Sequence, residues 1–135
     1  SSTPYAGKIE GRENTINNIY INNSNDKVAL IGCTTDGARL ADLTINGSIT
    51  STGSNVAGFI GDMEGYTIVE NCHNQANISG SASVGGIVGY SYHYPMEGEA
   101  AATIENSSNS GTITGARYVG GIAGRIYIFT YFIHR

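Results

Sequence analysis

Val84-Gly-Gly-Ile-Val-Gly89 is repeated as Val119-Gly-Gly-Ile-Ala-Gly124, and an earlier copy reads Val56-Ala-Gly-Phe-Ile-Gly61. A shorter copy, Val28-Ala-Leu-Ile-Gly32, comes before all three. The leading valines, counted from Val28, follow one another at intervals of 28, 28 and 35 residues. A nearly constant spacing of this kind is typical of a chain that repeats one structural unit and stacks the copies. The pattern therefore decides the architecture.

The repeated unit is longer than the glycine phrase. Residues 70–80 overlay residues 105–115 with the offset of 35 that also relates Val84 to Val119, so these two copies align without a gap from Glu70 to Gly89. The interval is seven residues longer than the preceding one, which predicts an inserted loop at 90–101. The predicted repeat domain spans 1–125, with copies near 15–37, 38–65, 66–101 and 102–125.

Within each copy, apolar and polar residues alternate over short stretches. Ser48-Ile-Thr50, Asn77-Ile-Ser79 and Thr112-Ile-Thr114 all read polar, apolar, polar. In a strand this alternation turns the isoleucine to one face and its neighbours to the other. About 28 residues are enough for three short strands and three turns. The sequence therefore predicts an all-β fold, a parallel β-solenoid (β-helix) of about four coils with three short strands per coil.

Stacking the coils predicts columns of equivalent side chains. Three isoleucines form one expected buried column and three valines form another; the members are Ile49, Ile78 and Ile113, and Val56, Val84 and Val119. Two consecutive glycines follow the valine in the last two copies, as Gly85-Gly86 and Gly120-Gly121. Either the chain bends at each pair, or the missing side chains let two backbone layers approach closely.

The asparagines repeat as well, because Asn74 overlays Asn109. Identical amides on successive parallel strands can pass hydrogen bonds along the stack, which predicts an Asn ladder at this pair. The alternative is that each asparagine occupies a solvated turn, where Asn tolerates left-handed backbone.

The bulk composition excludes several classes of function. Charged residues make up 13% of the chain and the net charge is −4, so no basic stripe exists to bind nucleic acid. No apolar run approaches the ~20 residues of a membrane span. Cys33 and Cys72 stand at non-equivalent positions, which favours two small buried thiols over a disulfide.

The last residues depart from the repeat. Residues 126–135 are apolar on both faces of a strand, which predicts a C-terminal strand or cap. An uncovered apolar edge invites pairing with another chain, so residues 126–133 are the expected place of self-association.

The repeat resembles the GLUG motif. The resemblance rests on Val84-Gly-Gly-Ile-Val-Gly89 and on the preceding Asn71-Cys-His-Asn-Gln-Ala-Asn-Ile-Ser-Gly80, and a similar lead-in begins near Pro4. GLUG motifs occur in secreted and surface-anchored bacterial proteins, including the non-catalytic region of IgA-specific metallopeptidases. The resemblance implies a right-handed parallel β-helix in an exported, adhesin-like or stalk segment, located outside the cell or on its surface. It brings no catalytic residues.

No catalytic or metal centre is predicted. The His-Glu-x-x-His motif of metallopeptidases is absent, and His73, His93 and His134 are far apart in the sequence. Asp62 and Glu64, like Glu97 and Glu99, are interpreted as solvated acids of turns or loops. We therefore expect no enzyme activity, no cofactor and no metal. The alternative is a carbohydrate-active lyase or hydrolase whose carboxylates include Asp62 and Glu64.

Two surfaces are candidates for binding a glycan or a host protein. The first is the aromatic start of the predicted loop, with Tyr90, Tyr92, His93 and Tyr94. The second is the outward rank of small polar side chains that ends in Thr112 and Thr114, which would suit a glycan or ice. The expected function is a non-catalytic, adhesin-like segment of an exported bacterial surface protein, which presents its loops to a partner.

Overall fold

A computed structural model describes residues 4–93 and 102–128 of the chain. All regular secondary structure in these residues is β-strand, so the all-β prediction is confirmed. The described part of the chain contains no helix long and apolar enough to cross a membrane. The strands are β1 (Lys8–Asn23), β2 (Ile31–Thr34), β3 (Ala38–Ser51), β4 (Val56–Ala57), β5 (Ile60–Glu64), β6 (Thr67–Asn74), β7 (Asn77–Ser79), β8 (Ala82–Gly85), β9 (Val88–His93), β10 (Thr103–Glu105), β11 (Ser108–Asn109), β12 (Ile113–Thr114), β13 (Arg117–Gly120) and β14 (Ala123–Ile128).

The strands form three sheets, and every strand pairing is parallel. The first sheet contains β1, β3, β6, β7, β10, β11 and β12, the second β4, β8 and β13, and the third β2, β5, β9 and β14. The chain visits the first, second and third sheet in that order and then begins again. In the first repeat, the contribution to the second sheet is a single β-bridge between Val28 and Val56. Strands from consecutive repeats are therefore neighbours.

The register of the strands follows the sequence repeat. Ile49 pairs with Ile78, which pairs with Ile113, and Val84 lies between Val56 and Val119. The first two members of each column are buried, whereas Ile113 is only partly buried and Val119 is 44% exposed. The columns lose their cover in the last repeat because β12 and β13 are the terminal strands of their sheets within the described residues.

The first-sheet strands are longer than three short strands per coil would require. β1 has 16 residues and β3 has 14. Two register shifts in their pairing, between Glu10 and Asn14 and between Ile16 and Ile19, absorb the irregular residues. The first repeat thus begins at Lys8 rather than near residue 15. Its start was difficult to recognise because this copy differs most from the others and lacks the glycine pair that marks the later copies.

The inserted segment starts later than predicted. Glu64 pairs with Tyr92 at an offset of 28, whereas Ile68 pairs with Thr103 at an offset of 35. The seven additional residues therefore lie between Tyr92 and Thr103. Placing Tyr90, Tyr92 and His93 in a loop was wrong, since all three belong to β9, which pairs with strands on both sides. Tyr94 and the rest of the predicted loop, to residue 101, lie outside the described residues.

The predicted boundary between residues 125 and 126 falls inside β14. Ile126 pairs with Ser91 and Tyr127 with Tyr92, so these residues continue the fourth repeat. The equivalence is weak in the sequence, because Arg125-Ile-Tyr-Ile128 shares one tyrosine with Tyr90-Ser-Tyr-His93 and little else. Residues 129–135 lie outside the described residues.

The glycine phrase forms the corner between the second and third sheets. β8 ends at Gly85 and β9 begins at Val88, while Val84 and Ile87 are both buried. The chain therefore turns at the glycine pair. It is also tightly packed there, since the Gly86 N–H donates to the Gly121 carbonyl at 3.0 Å and a β-carbon on Gly86 would lie 2.7 Å from Asn109 Cγ. Both interpretations of the glycines apply.

The Asn74 side chain closes a turn and contacts the next repeat. It is 1% exposed, and its Nδ2 donates to Ala76 O and to Asn109 Oδ1, both at 2.8 Å. Its Oδ1 accepts from the Ala76 N–H at 3.2 Å, and Asn109 makes the same two local bonds to Gly111. Ile45 occupies the equivalent position in the second repeat, so the amide contact does not extend in that direction.

We expect Asn74→Ala to lower the free energy of unfolding by about 2–3 kcal/mol, because it leaves the buried Ala76 N–H without an acceptor and removes the hydrogen bond to Asn109. Equilibrium urea unfolding followed by circular dichroism measures the change. Gln75→Ala is the matched control, since that neighbouring side chain is exposed. Equal stability of the two variants would contradict a structural role for the Asn74 amide.

The core consists of two apolar clusters. The larger includes Leu40, Phe59, Ile87 and Val69, and the smaller includes Val56 and its column neighbours. Cys33 and Cys72 are both buried and both free, in agreement with the interpretation of small buried thiols.

Candidate functional site

One face of the third sheet collects the chemically distinctive side chains. Residues two apart in a strand share a face, and residues paired in register lie side by side on it. The opposite face carries Met63 and Ser91, which are buried. On the first face, one row of side chains across the strands contains Cys33, Asp62, Tyr90 and Arg125. The next row contains Glu64, Tyr92 and Tyr127. We call this the third-sheet face.

Four tyrosines and an arginine form an aromatic cluster at the later end of this face. The Tyr92 and Tyr127 rings are stacked, with centroids 5.4 Å apart and planes at 11°, and Tyr90 lies 6.3 Å from Tyr92. The Arg125 guanidinium lies 4.4 Å above the Tyr118 ring and 5.9 Å from the Tyr90 ring. Tyr118 is 47% exposed and Tyr127 is 40% exposed. The cluster thus presents aromatic rings and a cation to solvent.

Tyr118 reaches the cluster through an unusual backbone bend. Its φ is 55°, and the equivalent residues Lys27, Asn55 and Ser83 have φ between 56° and 62°. A left-handed conformation costs roughly 1–2 kcal/mol for a residue with a side chain. The recurrence of the bend shows that the repeat geometry imposes it. In the fourth repeat the bend places Tyr118 next to Arg125, and in the first repeat it places Lys27 next to Asp62.

A thiol and two carboxylates meet at the earlier end of the same face. The Cys33 thiol donates to Glu64 Oε2 at 3.0 Å, and Lys27 Nζ lies 3.5 Å from Asp62 Oδ2. One ligand atom each from Cys33, Asp62 and Glu64 lies within 4.8 Å of the other two. We call these three residues the acid–thiol cluster. Its carboxylates belong to β5, so their interpretation as solvated turn acids was wrong, and Asp62 is only 6% exposed.

Burial dominates the electrostatics of the acid–thiol cluster. Desolvation raises the pKa of the Asp62 carboxyl above its usual value; the Glu64 charge adds to the rise and Lys27 opposes it. Desolvation, followed by the hydrogen bond to Glu64, raises the pKa of the Cys33 thiol to about 12. The Asp62 carboxylate raises the pKa of Lys27. Cys33 is therefore a neutral thiol at neutral pH.

The small polar rank is on a different sheet from the aromatic cluster. Thr112 and Thr114 are exposed at the end of the first sheet, where Thr114 pairs with Ser79. The rank continues to Tyr20, which pairs with Ser48 and is 75% exposed. The structure therefore separates Thr112 and Thr114 from Tyr90 and Tyr92. The side chain of His93, and Tyr94 altogether, lie outside what the structure describes.

His73 is part of a strand of the first sheet. It belongs to β6, and its Nδ1 and Nε2 lie 2.7 Å from Ser108 Oγ and 2.9 Å from Asn71 Oδ1. It also lines a groove with Glu13, Asp42 and Thr44. Since both ring nitrogens are occupied by protein partners, this histidine holds two strands together.

Sequence reasoning missed Cys33, Tyr118, Arg125 and Tyr127 as parts of this face. One signal was available for the last two, since the offset of 35 places Arg125 and Tyr127 over Tyr90 and Tyr92. No comparable signal existed for Cys33 or Tyr118, because neither residue type recurs at its equivalent position in the neighbouring repeats.

An all-β repeat protein with parallel sheets is the class that the fold and this face define. Residues 80–114 match the family model described as the GLUG motif. The chain thus carries the GLUG motif, which confirms the resemblance seen in the sequence. The matched stretch includes the glycine corner at Val84–Gly89 and the turn closed by Asn109. No curated protein and no solved structure matches the chain.

Proposed function

We propose that the chain is a non-catalytic segment of an exported bacterial surface protein and that its third-sheet face binds a glycan. The observation that carries this proposal is the stacked pair of Tyr92 and Tyr127 with Arg125 in the next row. The GLUG motif supports a non-catalytic segment of a larger protein. Export, the surface location and the adhesin-like role are parts of the proposal.

The chemistry of the aromatic cluster suits a sugar. The apolar face of a pyranose ring packs on an aromatic ring, and tyrosine offers a hydroxyl beside that apolar surface. Arg125 adds several N–H donors for sugar hydroxyls or a sugar carboxylate. Strand pairing between β9 and β14 fixes the backbone below the rings, and the Tyr92 and Tyr127 rings stack on each other, so little conformational entropy is lost when a ligand binds.

We further propose that the three sheets are the faces of a right-handed parallel β-helix of about four coils. The repeated order of the sheets along the chain supports this architecture, as does the strong preference of parallel crossovers for the right hand. Such a rod would set the aromatic cluster at a defined distance from the rest of the parent protein. An experimental structure that shows a left-handed winding would contradict this part.

We expect Tyr127→Ala to weaken glycan binding about tenfold or more, because a central aromatic anchor is commonly worth about 2 kcal/mol at a binding surface and tenfold corresponds to about 1.4 kcal/mol. A glycan microarray identifies a ligand for the wild-type chain, and isothermal titration with that ligand measures the affinities. Arg125→Ala should weaken the same interaction, because it removes both the cation and the support of the Tyr118 ring.

Tyr20→Ala is the matched control, since Tyr20 is also an exposed tyrosine but lies on the first sheet. We expect its affinity to equal that of the wild type. Loss of binding in Tyr20→Ala or Thr114→Ala, with Tyr127→Ala unaffected, would show that the glycan binds the rank of small polar side chains instead. If the wild-type chain binds a host protein and no glycan, the proposal that the ligand is a glycan is wrong. New reducing ends after incubation with the glycan would contradict the non-catalytic assignment.

A further inference from the structure

We propose that Cys33, Asp62 and Glu64 bind one divalent transition-metal ion of the zinc type. The inference is independent of glycan binding, because it concerns the other end of the third-sheet face. The three side chains come from adjacent paired strands, with Cys33 directly beside Asp62 and Glu64 two residues further along β5. No loop has to move to bring them together.

The distances are close to those of a bound ion. One ligand atom from each residue already lies within 4.8 Å of the other two. Around a tetrahedral zinc ion, with Zn–S about 2.3 Å and Zn–O about 2.0–2.2 Å, ligand atoms stand roughly 3.3–3.8 Å apart. Side-chain rotations that move the ligand atoms by at most about 1.0–1.5 Å, the difference between these distances, would therefore complete the site.

A buried carboxylate oxygen gives independent support for a cation site. Asp62 Oδ1 has no hydrogen-bond partner among the described residues, although the side chain is 8% exposed. Lys27 contacts the other oxygen, Oδ2, at 3.5 Å. An unpartnered buried acceptor is costly, and buried charges are normally paired or coordinate a metal. An ion bound through Oδ1 would satisfy this oxygen and leave the contact with Lys27 in place.

The charges also favour a divalent ion. Cys33 as a thiolate, Asp62 and Glu64 carry three negative charges, and Lys27 carries one positive charge, so the local sum is −2. A divalent cation neutralises this sum. Binding forms a metal–sulfur bond and breaks the Cys33 S–H bond, and the proton leaves to solvent or buffer. A thiolate with two carboxylates favours zinc over calcium or magnesium, which bind through oxygen.

Three protein ligands leave a fourth position open. Glu64 is only partly buried and the Lys27 side chain is 42% exposed, so the cluster lies close to solvent. Sites with three protein ligands and one open position accept water or an external group. The ion would therefore be able to bind an oxygen of a partner molecule. Binding of the ion to the chain does not require that partner.

Titration of the metal-free chain with Co²⁺ tests the proposal. We expect one equivalent to bind and to produce the near-ultraviolet absorption of a cobalt–thiolate bond, with Zn²⁺ displacing it. Cys33→Ser should abolish this absorption. Asp62→Asn should lower the affinity for Zn²⁺ at least about 100-fold, because even residues behind metal ligands alter affinity by 10–100-fold.

Cys72→Ser is the matched control, because Cys72 is the other buried free cysteine and lies outside the acid–thiol cluster. It should keep the cobalt–thiolate absorption. Co²⁺ binding by the wild type without that absorption, or equal absorption in Cys33→Ser, would overturn the proposal. If Cys33→Ser does not fold, the spectrum of Cys72→Ser still decides, because Cys33 is then the one thiol left in the chain that can give the band.

Discussion

Gly86→Ala should destabilise the protein by more than about 3 kcal/mol, near the upper end of what overpacking costs. A β-carbon at this position would approach the Gly121 carbonyl oxygen closer than 3.0 Å and would lie 2.7 Å from both Asn109 Cγ and Oδ1. Gly121 O cannot move away, because it accepts the Gly86 N–H at 3.0 Å. Asn109 is held by its bonds to Gly111 and Asn74. The backbone itself would have to shift.

Gly121→Ala is the control for this variant. Gly121 occupies the same place in the next copy of the phrase, but a β-carbon there meets only Asn109 Nδ2 at 3.7 Å, an ordinary van der Waals distance. We expect the Gly121→Ala free energy of unfolding to stay within about 1 kcal/mol of the wild type, the typical range for exposed positions without special contacts. Equilibrium urea unfolding of the two variants measures the difference. Similar stabilities would show that close packing at Gly86 is not the reason for its glycine.

Phe59→Ala should cost about 3–5 kcal/mol, the range for truncating a buried aromatic residue. Phe59 is 0% exposed and packs in the larger core cluster with Leu40, Ile87 and Val69. The repeats hold isoleucine at the equivalent positions 87 and 122, so Phe59 is the largest side chain of its column. Its removal leaves a cavity whose walls belong to strands paired across repeats, which cannot collapse without breaking register.

Ile122→Ala tests whether the loss of stability depends on the burial of the side chain or on its place within the repeat. Ile122 is equivalent to Phe59 but is 37% exposed. We expect a loss of roughly 1 kcal/mol, as for a partly exposed aliphatic side chain. Thermal unfolding of both variants gives the comparison. A large loss at Ile122 would mean that residues beyond the described ones bury it.

Strand register was predictable from the sequence, because the fold stacks copies of one unit. In such a stack the pairing partner of a residue is its equivalent in the next copy, so the valine offsets are the pairing offsets of the second sheet and lie within a few residues of those of the strands next to it in the repeat. Val56, Val84 and Val119 illustrate this. The seven-residue insertion was predictable in length but not in place, because the sequence after Gly89 no longer resembled its equivalents.

The link between the glycine and asparagine patterns needed the structure. Asn109 of one repeat lies against Gly86 of the repeat before it, and Asn74 lies against Gly58 in the same way. In sequence these residues are far apart and read as two separate signals. Together they explain why the turn amide and the missing side chain recur in the same unit: the glycine leaves the space that the asparagine fills.

By itself the sequence determined the all-β class, the repeated unit and the alignment of its copies, because residues that form the core and the turns must recur in every copy. Only the tertiary structure decided which unlike residues share the third-sheet face. Cys33, Asp62 and Glu64 meet, and Arg125 reaches Tyr118, through strand pairing and a left-handed bend. Such residues differ from copy to copy, so no periodicity marks them, and their burial and charge depend on neighbours supplied by other repeats.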